Sequence, residues 1–153
     1  MIFDMIISVI GANGFIGLKL VKELVDSGIR VRVLSRKNIY PIKGVEVFVA
    51  DLTDTNFNIE GFLDNTDILY NCSGEVNDES LMQKLHVTAV QRLIKLSKGK
   101  VGRWVQLGSV GSYGNCRNGV ITENSDDKPV GVYETTKTES DNLIKERVRH
   151  LIT

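Results

Sequence analysis

At 153 residues the chain is long enough for one domain with a sizeable core, and its 42% apolar and 25% charged residues are those of a globular protein. Lys plus Arg and Asp plus Glu number 19 each with no basic run, which argues against a nucleic-acid or anionic-membrane partner. No apolar stretch reaches the ~18 residues of a membrane span, and no basic segment opens the N-terminus as in a secretory leader.

The expectation is therefore a cytoplasmic protein. Cys72 and Cys116 stand apart and read as reduced structural thiols. The two histidines are far apart, so no metal site is expected.

The first element is an apolar run, a strand over 5–10, which leads directly into Gly11-Ala12-Asn13-Gly14-Phe15-Ile16-Gly17. An amphipathic helix over 15–27 follows, ended by Ser27-Gly28. Strand, glycine turn and helix N-terminus in succession form an anion site. Glycines let the backbone approach a phosphate, and the unpaired N–H groups of the first helical turn point at it with the positive end of the helix dipole. The alternative is a glycine turn needed only for close strand–helix packing. A second strand over 30–35 supplies the context that a nucleotide-binding turn requires.

Further strands are expected at 45–49, 67–72 and 103–108, helices at 80–98 and 133–149, and a short irregular element near 58–64. This alternation predicts βαβ units: an α/β, Rossmann-type, doubly wound parallel sheet in three layers. Gly11, Ser35, Asp51, Ser73 and Ser109 fall at or just after strand C-termini, where such sheets bind ligands, and are expected to line one cleft. Residues 150–153 read as the start of another strand, cut short. The expectation is a single nucleotide-binding domain over 1–153, truncated after the last helix, from a longer protein or a truncated gene.

The second strand ends Leu34-Ser35-Arg36-Lys37, with no carboxylate to accept bonds from an adenosine ribose. A hydroxyl and two cations suit a 2′-phosphate instead, which favours NADP(H) over NAD(H). The alternative is a solvated pair of cations at Arg36 and Lys37. Asp51 either accepts a bond from the adenine amino group or serves as a turn aspartate.

Tyr133-Glu134-Thr135-Thr136-Lys137 places a phenol and an ammonium one helical turn apart. A nearby cation stabilises tyrosinate and lowers the phenol pKa, so Tyr133 can exchange a proton with a carbonyl or alcohol oxygen. Ser109, at the end of the fifth strand, can donate a bond to the same oxygen.

Taken in order, GANGFIG, VADL, YNCSGEV, LGSVGSYG and YETTK resemble the extended short-chain dehydrogenase/reductases, NAD(P)-dependent epimerases and dehydratases acting largely on nucleotide sugars. The resemblance runs over essentially the whole chain. It implies that Gly11, Gly14 and Gly17 hold the pyrophosphate, with Asn13, Phe15 and Ile16 beside them among the cofactor-binding residues. Asp51 and Leu52 flank the adenine, next to the cofactor-binding Ser35 and Arg36 read above as suited to a 2′-phosphate. Cys72, Ser73 and Gly74 wall the cofactor, and Tyr133 and Lys137 reach the nicotinamide ribose.

It further implies Tyr133 as general acid/base, Lys137 as its tuner, Ser109 as the catalytic serine, and dimerisation through the helices at 80–98 and 133–149. His86 stands where the family usually has an asparagine of the proton relay. It is either a modified relay group or a histidine satisfied within the structure. Family members are about twice this length and take their substrate pocket from the C-terminal half, so the isolated chain is expected to turn over poorly. A non-catalytic nucleotide-binding or interaction module is the alternative.

Overall fold

The computed structural model describes residues 5–115 and 119–150, with side chains described to Arg147. Five strands, β1 (Ile6–Ile10), β2 (Arg30–Ser35), β3 (Val45–Val49), β4 (Thr66–Asn71) and β5 (Val101–Gln106), form one sheet in the order β3-β2-β1-β4-β5. Every pairing is parallel. The order reverses at β1, which opens a crevice between the ends of β1 and β4, the expected ligand position in a doubly wound sheet.

The central strands β1 and β2, and much of β4, are buried because their apolar residues alternate between the two faces of the sheet. Ile7 and Val9 of β1 join Val31 and Val33 of β2 beneath helix α1 (Phe15–Asp26), whose Val21, Leu20 and Leu24 close that layer. Ile10, Leu34 and Leu69 point the other way and pack with Phe62, Ala89 and Leu93. That second layer is built on a continuous helical rod and on α4 (Val132–His150), which packs beside it. The rod comprises α2 (Glu79–Met82), a π-helical segment (Gln83–Thr88) and α3 (Ala89–Leu96).

The five strands and three helices expected between 5 and 149 are present, with small shifts at their ends. β5 begins two residues earlier than its sequence suggests, because Gly102 is a close-approach residue within the ladder: a Cβ there would sit 2.9 Å from the Asp67 carbonyl oxygen. The stretch near 58–64 forms turns, not a regular element. The strand expected from 150 does not begin there, since His150 closes α4, and 151–153 lie outside the described residues. Cys116 also lies outside them, and Cys72 is a free thiol. Among the described residues no helix is long and apolar enough to cross a membrane.

Candidate active site

The glycine loop sits where β1 ends against the end of β4. Gly11 adopts φ +72°, and a Cβ there would fall 2.5 Å from the Cys72 carbonyl carbon and the Ser73 nitrogen. Only glycine satisfies both demands. Gly17 is needed for a different reason: its Cβ would lie 2.3 Å from the Gly11 carbonyl oxygen, so it lets α1 pack onto the loop. Gly14 caps α1 in an extended conformation with no side-chain bond to the helix, leaving the N–H groups of the first turn without intrahelical partners.

Phe15 and Ile16 occupy the first turn of α1. Both side chains lie in solvent, Phe15 being 78% exposed beneath the Lys19 ammonium at 4.2 Å. Two further bonds fix the loop. Tyr40 donates its hydroxyl proton to the Ala12 carbonyl (2.8 Å), and Asn13 Nδ2 donates to Ser35 Oγ (3.0 Å). Burial of the Tyr40 phenol raises its pKa to about 12, which keeps it a donor.

A cleft of ≈ 490 Å³ opens from this loop along the strand C-termini. Gly11, Asn13, Gly14, Ser35, Arg36, Asp51, Leu52, Cys72, Ser73 and Gly74 all line it. Ser35 is only 4% exposed, and its oxygen already accepts from Asn13 and from the Lys37 N–H (3.2 Å). Arg36 is exposed at the cleft wall. Asp51 closes a local turn by accepting the Thr53 N–H (2.9 Å) and hydroxyl (2.7 Å). Those bonds hold its carboxyl below the usual range, with Arg36 a lesser contributor. The turn role is thus filled while the carboxylate still borders the cleft.

Ser109 departs from the single-cleft expectation. It lines a neighbouring cavity of ≈ 330 Å³ with Gly108, Tyr113, Thr138 and Asp141. The reason is local: Ser109 caps a 3₁₀ turn (Val110–Tyr113) that turns the chain aside after β5, and its Oγ accepts the Gly111 N–H at 3.2 Å. That bond uses a lone pair and leaves the hydroxyl proton free for another acceptor.

Tyr133 is half-buried in the first turn of α4, and Lys137, one turn on, is 3% exposed. Lys137 Nζ donates to the Leu107 carbonyl at 2.6 Å, which ties α4 to the segment between β5 and Ser109. The expected depression of the Tyr133 phenol is not present in this arrangement. Its pKa is raised, first by burial and then by the Glu134 and Asp141 carboxylates. Lys137 spends its charge on Leu107 instead, and its own pKa is lowered by burial, with Asp141 and Cys72 opposing. His86, the residue with two open readings, is buried and hydrogen-bonded at both ring nitrogens.

A glycine loop at the reversal of a parallel sheet, with a tyrosine and a lysine one turn apart on the helix following the last strand, defines a Rossmann-type α/β protein. The sequence profile of the NAD dependent epimerase/dehydratase family matches residues 7–150, and the chain belongs to that family. No curated protein matches it.

Among solved structures it is similar to MoeE5 in complex with UDP-glucose and NAD, at 27% identity and a TM-score of 0.82, covering 92% of this chain and 48% of that one. It also shares its fold with a UDP-galactose 4-epimerase (22% identity, TM-score 0.82, 95% and 52% covered). The UDP-glucuronic acid 4-epimerase of Bacillus cereus in complex with NAD is alike in fold as well (21% identity, TM-score 0.80, 95% and 52% covered). The chain spans about half the length of these proteins.

Proposed function

We propose that this chain is the cofactor-binding and proton-transfer part of a nicotinamide-dinucleotide-dependent enzyme that exchanges hydride at a carbinol carbon of a nucleotide sugar. The observation that carries the reading is the glycine loop lodged against the Cys72–Ser73 backbone, with a cleft running from it along the strand ends. When bound, the dinucleotide supplies the hydride acceptor and donor. The Tyr133 phenol moves the proton of the substrate oxygen, and Ser109 donates its free hydroxyl proton to the same oxygen. Lys137 has two N–H groups beyond the one given to Leu107, which suit the hydroxyls of a ribose. The UDP-glucose in the MoeE5 complex supports a nucleotide sugar as substrate.

For the choice of cofactor the observations divide. Arg36 at the cleft wall, with no carboxylate at the end of β2, supports NADP(H). Two observations support NAD(H): the ionised Asp51 across the same cleft and the NAD of the MoeE5 complex. NAD(H) is the better supported form. Self-association through the α2–α3 rod and α4 belongs to the same reading, and a monomeric mass at micromolar concentration contradicts it.

The test of the chemistry is conversion of UDP-glucose or UDP-glucuronic acid in the presence of NAD, comparing wild type with Tyr133→Phe. Loss of conversion in the variant, with dinucleotide affinity kept, supports the assignment. Equal conversion by both proteins removes Tyr133 from the chemistry. Dinucleotide binding with no conversion by wild type favours the non-catalytic module.

A further inference from the structure

His86 faces three structural parts at once. Its ring is 2% exposed and lies on the π-helical segment Gln83–Thr88, a departure from α-helix that re-aims side chains and often marks functional sites. Nε2 accepts the backbone N–H of Glu75 at 2.9 Å. A backbone nitrogen can only donate, so Nε2 carries no proton and the ring hydrogen is on Nδ1. Nδ1–H then donates to Thr136 Oγ1 at 2.8 Å. Thr136 Oγ1 in turn donates a hydrogen bond to the carbonyl of Val132 (2.9 Å) or Tyr133 (3.1 Å). The ring meets that of Tyr133 edge-on, with centroids 5.5 Å apart and planes at 85°.

The bonds run in one direction, from the loop after β4 through the imidazole into the first turn of α4. Glu75 and Gly74 belong to the cleft wall, and Tyr133 is the proposed proton carrier. We infer that His86 is a positioning residue, a neutral Nδ1–H imidazole that clamps the cofactor-cleft wall to the helical turn bearing Tyr133, and that it carries no proton of the reaction. Accepting a proton at Nε2 would break the Glu75 bond and place a cation in a buried site. The charged groups facing the ring agree: burial and Lys137 push its pKa down to about 4, against the smaller opposing effect of Glu75. The significance of the clamp rests on the reading of Tyr133 given above, but its geometry can be tested without turnover.

Long-range ¹H–¹⁵N correlation of the histidine side chains in the full chain, with the His86 signals assigned by His86→Phe, reads the tautomer directly. The expected result is an Nδ1–H imidazole that stays neutral from pH 8 to pH 5. An Nε2–H tautomer, or a midpoint near the ordinary 6.5, overturns the inference.

A second readout is the Tyr133 phenol, followed by tyrosinate absorbance as the difference from Tyr133→Phe. Releasing the first turn of α4 in His86→Phe should admit water and lower the Tyr133 midpoint by about half a pH unit or more. His86→Gln, whose amide can accept from Glu75 and donate to Thr136, should restore part of the shift. An unchanged Tyr133 midpoint in a folded His86→Phe protein overturns the positioning role. If wild type binds no dinucleotide the proposed function fails, while both readouts still judge His86.

Discussion

The Lys137 ammonium and the Leu107 carbonyl oxygen, 2.6 Å apart, join the helix that bears the proposed proton carrier to the segment between β5 and Ser109. A bond from a charged group contributes about 1.5–3 kcal/mol, and burying the ammonium costs free energy of similar size. Lys137→Met removes both but leaves the Leu107 carbonyl without its donor and the buried Asp141 carboxylate without its cation. We expect it to lose about 1–3 kcal/mol of stability in urea and to lose dinucleotide affinity and turnover together. A large loss of stability with binding intact in the folded fraction would make Lys137 a structural residue only.

The glycines of the loop separate by mechanism. Gly11→Ala meets both a left-handed backbone and a 2.5 Å clash with Cys72 and Ser73, and Gly17→Ala meets the Gly11 carbonyl oxygen at 2.3 Å. Each should destabilise the fold by about 3 kcal/mol or more. Gly28 shares the left-handed conformation, at φ +76°, with nothing within 4 Å of an added Cβ. Gly28→Ala should cost only about 1 kcal/mol. Urea midpoints of the three variants check the order.

The pH dependence of stability follows from His86. Its folded pKa is depressed to about 4 from 6.5, so the stability it contributes is present above pH 6.5 and is lost as pH falls through that window toward 4. One proton taken up on unfolding gives a slope of at most about 1.4 kcal/mol per pH unit. His86→Phe removes this component, and its stability curve should be flatter between pH 6.5 and 4 than that of wild type.

Asp141 has the opposite sense. Its carboxyl is raised above the ordinary range, first by burial, with Lys137 and Lys145 opposing, and its Oδ1 has no hydrogen-bond partner. An acid with a raised folded pKa favours the fold when protonated and loses that contribution as pH rises through its titration. Asp141→Asn should therefore raise the unfolding temperature at pH 7. It should also lower the Lys137 pKa further, because Asp141 is the largest influence holding that ammonium up. A lower unfolding temperature at pH 7 would show that the Lys137 pairing outweighs the burial of the carboxylate.

The parts of this protein that can be read from sequence are those encoded by neighbours along the chain. The β1–loop–α1 unit is legible because an apolar run, three spaced glycines and an amphipathic helix are contiguous. The start of β5 is harder to read because Gly102 lowers strand propensity while serving the close approach to Asp67. The π-helical turn at Gln83–Thr88 inserts its irregularity without disturbing the apolar periodicity around it, so 80–98 reads as one helix.

Pairings across the chain leave no local mark. Tyr40 on Ala12, Lys137 on Leu107 and His86 between Glu75 and Thr136 depend on tertiary placement. The tyrosine–lysine spacing is legible, but the direction of the Tyr133 pKa is not, because it depends on where the ammonium points and on burial. Ser109 is legible as a residue after a strand, and its separate cavity follows from the 3₁₀ turn it caps.

The proposed function requires that the cleft above β1 and β4 hold a nicotinamide dinucleotide. The measurement that tests it most directly is a calorimetric titration of this chain with NADH and, in parallel, NADPH, after circular dichroism has shown the chain to be folded. Saturable one-to-one binding is expected, tighter for NADH, with affinity reduced in the Lys137→Met protein. Tighter NADPH binding would keep the site and assign the selectivity to Arg36. A folded chain that binds neither dinucleotide would contradict the account.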